Sequence, residues 1–285
     1  MNDVPALFYE RLVPQIYIEA ISASCELSGV ISEVAADQLE NAAMLVVGLV
    51  DGEFVDDHFF SYLKLQNEQI PQVSRKHHWH TMVIVRADSD EYLTHAGALQ
   101  KLSAAVKHKR VSFDLDTSNI NDDIEKWIGS MPFCYRLTIR VYVPKIVNML
   151  IQKRTLYRIF FKEQHKIPDE AIGQLLQLLQ QEQFYSAAIF GISESGLQKL
   201  ISGWQEHSVA MVGKTLLLGK LELELTAHGF RNCTEEDERY FEFYHPRFNH
   251  LRVQSSALIL KSERGDAAIY CLIPDDSSET LIVFV

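Results

Sequence analysis

Cysteine is scarce and scattered. Cys25, Cys134, Cys233 and Cys271 are the four cysteines in 285 residues, and none stands at the CxxC spacing of a zinc knuckle or a redox motif. A disulfide framework is therefore not expected, and a reducing cytoplasm is the expected setting. Long apolar runs are missing as well: the longest, residues 42–50, has nine residues, whereas a helix crossing a bilayer needs roughly 20. Residues 1–11 carry Asp3 and Glu10 and lack the basic and apolar regions of an export signal, so export is not expected. Glycine (13) and proline (8) are few and form no repeat, which excludes collagen-like and linker proteins.

What remains is an ordinary apolar share, 47% of residues, enough for the core of one or two domains. The net charge is −11, unevenly spread: residues 1–130 hold 10 Lys/Arg against 20 Asp/Glu, and residues 131–285 hold 17 against 18. Such an acidic chain repels phosphate backbones, so general duplex nucleic-acid binding is disfavoured. Residues 136–166 are the exception, with eight basic residues, a single acid at Glu163, and Tyr142, Tyr157, Phe160 and Phe161 interleaved.

Periodicity divides the chain into an acidic, mainly helical region, residues 1–75, and a mixed α/β domain, residues 76–285. Residues 32–45 have helical spacing, although residues 44–50 read equally well as a buried strand turning at Asp51-Gly52, a hairpin signal. Beyond the polar stretch 66–76, short apolar strands alternate with amphipathic helices. Residues 133–143 alternate cleanly, with Leu137 and Ile139 on one face and Arg136, Thr138 and Arg140 on the other. Pro168 opens a helix whose Ile172, Leu175, Leu176 and Leu179 make one stripe. The last three strands, near residues 251–260, 267–273 and 281–285, suggest an antiparallel meander. The expected class is α/β to α+β: a mixed sheet with flanking helices, a helical N-terminal region and antiparallel C-terminal strands.

Four constellations carry chemistry. His78 and His80 are two apart, so a strand would present both imidazoles on one face, with His58 as a candidate third ligand for zinc (Zn2+). Residues 111–118 read VSFDLDTS, a short apolar strand delivering Asp114 and Asp116. This segment resembles the first motif of the haloacid dehalogenase-like phosphohydrolases. The resemblance implies Asp114 as nucleophile, Asp116 as acid/base, Ser193, Lys214, Asp275 and Asp276 as later motif residues, and magnesium (Mg2+) between phosphate and carboxylates. Gly191-Ile192-Ser193-Glu194-Ser195 sits between a strand and a helix, as a nucleophile elbow would, with Ser193 or Ser195 as a helix N-cap the plainer reading.

The fourth is the basic strand pair. Arg136 and Arg140 share a face, and Arg158 with Lys162 belongs to a neighbouring strand, making a patch for a protein partner or a phosphorylated ligand. The same cations would serve to neutralise the acidic first half, within the chain or between subunits of a homo-oligomer. On balance the sequence points to a cytoplasmic, non-catalytic binding protein, an adaptor, regulator or assembly component using Arg136, Arg140, Arg158 and Lys162. The phosphohydrolase and the His-ligated metal protein are the alternatives.

Overall fold

The computed structural model describes residues 21, 24–61, 78–87, 96–106, 110–162, 167–219, 224–237, 239, 255–262, 265, 267–274 and 279–285. The chain divides into two compact units, Met1–Trp127 and Ile128–Val285. Among the described residues no helix is long and apolar enough to cross a membrane.

In the first unit, helix α1 (Val30–Asn41) leads into strand β1 (Ala43–Val50), which turns back antiparallel into β2 (Glu53–Ser61). The turn is Asp51-Gly52, both at positive φ (47° and 83°), the backbone that makes a two-residue hairpin match strand twist. Of the two readings of residues 44–50, the strand is the one observed. β3 (His78–Arg86) then runs parallel to β1, helix α2 (Ala96–Val106) crosses over, and β4 (Arg110–Asp116) runs parallel to β3. The strand order is β2-β1-β3-β4. In β1 every second residue, Ala43, Leu45, Val47 and Leu49, is buried, and Val83, Val85, Phe113 and Leu115 join them. Phe113 meets Trp127 edge-on at 5.7 Å, and the Trp127 indole N–H donates to Ser103 Oγ at 2.8 Å, so the ring is both packed and satisfied. Trp127 belongs to helix α3 (Asp122–Ser130).

The second unit is built of successive strand–helix steps: β5 (Cys134–Ile139), α4 (Pro144–Lys153), β6 (Leu156–Phe161), α5 (Asp169–Leu179), β7 (Ser186–Ile189), α6 (Glu194–Met211) and β8 (Thr215–Gly219). Strands β5 to β8 are parallel and neighbours in space in the order they occur in the chain. Because strand–helix–strand crossovers are right-handed, that order puts α4, α5 and α6 on one face of the sheet. Burial agrees: Leu137, Ile159, Ala187 and Leu216, in register across the four strands, are all 0% exposed, and Ile146, Leu150, Leu175, Leu178, Leu200 and Trp204 of the helices are buried as well. Each such aliphatic side chain contributes about 1.5–3 kcal/mol on burial. The row facing the other way, Arg136, Arg158, Ser186 and Thr215, is only half-buried.

Local chemistry sets the ends of these elements. Pro144 occupies the first turn of α4, where its missing N–H is harmless, and Arg154 closes that helix in the left-handed region, its N–H donating to Ile151 O. After β8 come a 3-10 turn (Leu225–His228), β9 (Arg231–Asn232), and an antiparallel meander of β10 (Ser255–Lys261), β11 (Ala268–Pro274) and β12 (Glu279–Phe284). β12 pairs antiparallel with β8, giving the order β5-β6-β7-β8-β12-β11-β10-β9. Both units thus combine parallel and antiparallel strands with flanking helices, and the expected antiparallel C-terminal meander is present.

Candidate anion-binding row

The cations of the basic segment separate into two pairs. Arg136 and Arg158 stand in register on β5 and β6, inside the sheet. Arg140 and Lys162 come one residue after the ends of those strands, both exposed, with the Lys162 N–H donating to Ile139 O at 2.8 Å. Four residues of strand span roughly 13 Å, so the four charges do not form one cluster. The clean alternation of residues 133–143 suggested a longer strand; β5 instead ends at Ile139, because the chain must turn to reach Pro144 and α4.

Arg158 is enclosed by aromatic rings. Its guanidinium carbon lies 4.4 Å from the centre of the Tyr185 ring and 5.4 Å from that of Tyr135, and the Tyr185 hydroxyl meets the Tyr135 hydroxyl at 3.4 Å. Each cation–ring contact contributes about 0.5–2 kcal/mol, more as water is removed. The Arg158 Nε is buried without a hydrogen-bond acceptor, and among the described residues no carboxylate pairs with this arginine. The residue nevertheless stays partly exposed. On the neighbouring strand the Arg136 guanidinium carbon lies 5.6 Å from the Phe160 ring centre. Ser186 of β7 is in register with Arg158, and Thr215 of β8 with Ser186. A guanidinium that contacts aromatic rings still has N–H donors with which to meet a planar or tetrahedral oxyanion.

The other candidate residues are dispersed. Asp114 and Asp116 lie on β4, Asp114 buried and in register with Ile84, Asp116 half-buried and in register with Arg86. Neither Asp116 nor Ser118 caps the following helix: the Asn121 side chain does so, accepting from the Ile124 N–H at 3.0 Å. Ser193 lies at the carboxyl end of β7 and is the N-cap of α6, its Oγ accepting from the Gly196 N–H at 3.0 Å and sitting 3.0 Å from Ser195 Oγ. Lys214 lies at the amino end of β8, buried, its ammonium donating to the carbonyls of Gln181 (2.7 Å), Glu182 (3.2 Å) and Phe184. That burial lowers its pKa. Since β7 and β8 are parallel, Ser193 and Lys214 sit at opposite ends of the sheet, and the structure does not bring them together. Asp275 and Asp276 lie outside the described residues.

His78 and His80 open β3, with His80 buried, and His58 of β2 is in register with Val46. Among the described residues no group of three His, Cys, Asp or Glu side chains converges as a metal site. Asp237 is buried at the edge of the meander, where it accepts from Arg231 (2.7 and 3.3 Å), Lys261 (2.8 Å) and both the N–H (2.9 Å) and hydroxyl (2.8 Å) of Thr234. The Arg231 hydrogen bonds hold its pKa well below the usual carboxylate range, against the opposing effect of burial.

Tyr135, Tyr185, Ser186 and Thr215 are members of the row that sequence reasoning missed. A signal for the first three exists: the pairs Tyr135-Arg136, Tyr157-Arg158 and Tyr185-Ser186 each precede an apolar strand core, marking equivalent positions of successive strand–helix steps. No family model, curated protein or solved structure matches this chain.

Proposed function

We propose that this chain is a non-catalytic binding protein, an adaptor, regulator or assembly component, that captures an anionic partner on the face of β5 and β6 that carries Arg136 and Arg158. One observation carries the reading: Arg158 is held between Tyr135 and Tyr185 yet has no carboxylate partner among the described residues. An arginine used only for stability would normally be neutralised, because leaving a half-buried charge unpaired costs stability that a nearby acid would restore. The sequence supplies no such acid locally, since no Asp or Glu occurs between Glu125 and Glu163. Arg140 and Lys162, past the strand ends, extend the positive field and steer an acidic partner to the row. The four cysteines are free thiols, in keeping with a cytoplasmic setting.

The test is direct binding of an immobilised polyglutamate peptide to the full chain at low and physiological salt. The wild type binds, more weakly as salt rises. The double variant Arg136→Glu, Arg158→Glu loses capture while its far-UV circular dichroism stays native. Absence of wild-type binding, or equal binding by a folded variant, overturns the proposal.

A further inference from the structure

We infer that the anion taken by this row is a phosphate monoester, gripped by Arg158 with the hydroxyl of Ser186 beside it; the inference rests on the binding reading above and names its ligand. A carboxylate offers two oxygens in one plane, and a single guanidinium fork satisfies both. A phosphate monoester presents three terminal oxygens around a tetrahedral centre and needs donors from more than one direction. The row supplies them. Arg158 is flanked in register by the Arg136 guanidinium on β5 and by the Ser186 hydroxyl on β7, with Thr215 one strand beyond. Neighbouring strands lie about 4.8 Å apart, so donors on β6 and β7 reach one phosphate together.

Preorganisation favours the same ligand. The Tyr135 and Tyr185 rings hold the guanidinium, so little side-chain freedom is lost when the ion arrives. The buried, acceptor-free Nε of Arg158 shows that the protein itself does not satisfy this group. A doubly charged phosphate also fits a segment without acids, residues 126–162, better than a singly charged carboxylate does. The phosphate could belong to a phosphorylated polypeptide side chain or to a small phosphorylated molecule; the chemistry at Arg158 is the same.

The experiment is calorimetric titration of the full chain with inorganic phosphate, with a phosphoserine peptide and with the same peptide carrying Glu at that position. Both phosphate probes bind, and the Glu peptide binds at least about tenfold more weakly than the phosphoserine peptide. Arg158→Lys keeps the charge but loses the fork, and lowers phosphoserine affinity about tenfold with an unchanged melting temperature. Ser186→Ala, a smaller change that preserves the fold, lowers it several-fold. A ratio favouring the peptide marks a protein-borne phosphate, and near-equal affinities mark a small ligand; either supports the inference. No binding of either phosphate probe, or Arg158→Lys affinities equal to wild type, overturns it. If polyglutamate capture persists in that case, the binding reading survives without it.

Discussion

The guanidinium of Arg158 stacks over the ring of Tyr185, 4.4 Å from its centre, although Arg158 lies on β6 and Tyr185 immediately precedes β7, with the whole of helix α5 between them. The contact joins β6 to the residue that opens β7 and fixes the orientation of an arginine whose buried Nε lacks an acceptor.

Removing that ring while keeping bulk tests its part. Tyr185→Leu should lower stability by about 1 kcal/mol and weaken anion capture, whereas Tyr185→Phe keeps the π-face and should leave capture within about twofold of wild type. Urea unfolding and the polyglutamate assay read the two effects separately.

Lys214 plays a different role. Its ammonium is committed to three backbone carbonyls in the loop between α5 and β7, so Lys214→Met strands three acceptors and should cost about 2–4 kcal/mol in urea unfolding. Burial lowers its pKa in the folded chain, so above the folded value the unfolded chain binds more protons. Wild-type stability should therefore gain, relative to Lys214→Met, as pH rises from the lowered folded value toward the ordinary lysine value near 10.4, and show no such relative gain below the folded value.

Asp237 ties β9, β10 and the turn at Thr234 together through one buried carboxylate. Asp237→Asn should destabilise by about 2–3 kcal/mol, discounted because Arg231 and Lys261 are half exposed. The folded pKa is depressed, so the stabilisation is present in full above the unfolded value near 3.9 and disappears as pH falls toward the lower folded value. Acid titrations followed by circular dichroism should show wild type and variant converging in that window.

Gly219 meets the backbone of Phe190. A Cβ built there would stand 2.7 Å from the Phe190 carbonyl oxygen and 3.0 Å from its Cα, atoms that cannot swing aside. Gly219→Ala should cost about 1–3 kcal/mol in thermal unfolding, while Gly173→Ala, where a Cβ meets open space on an exposed helical face, should be neutral or stabilising.

How far the sequence foretold this depends on the distance over which each signal acts. Leu137 and Ile139 against Arg136 and Thr138 were legible because strand alternation is local. The helix opened by Pro168 was legible for the same reason, and its stripe of Ile172, Leu175 and Leu179 is buried. Residues 44–50 were ambiguous because a short apolar run has no period; Asp51-Gly52 decides for a strand. The end of β5 escaped, since Val141 and Val143 continue the alternation after the backbone has turned. The row itself is a matter of register. That Arg136 faces Arg158, and Arg158 faces Ser186, follows from how α4 and α5 set each strand against the last, which no local window contains.

The order of the strands also bears on how the second unit comes to be folded. From β5 to β8 each strand finds its partner one helix away, so these pairings close short loops and should form early. β12 must pair with β8 across residues 219–279, a far longer closure with a slower search. A kinetic intermediate with β5 to β8 assembled and the meander still open would expose the row edge of Thr215 and Leu217 before β12 arrives. Pulse-labelling hydrogen exchange would see it as early protection of residues 134–161 and late protection of residues 279–284.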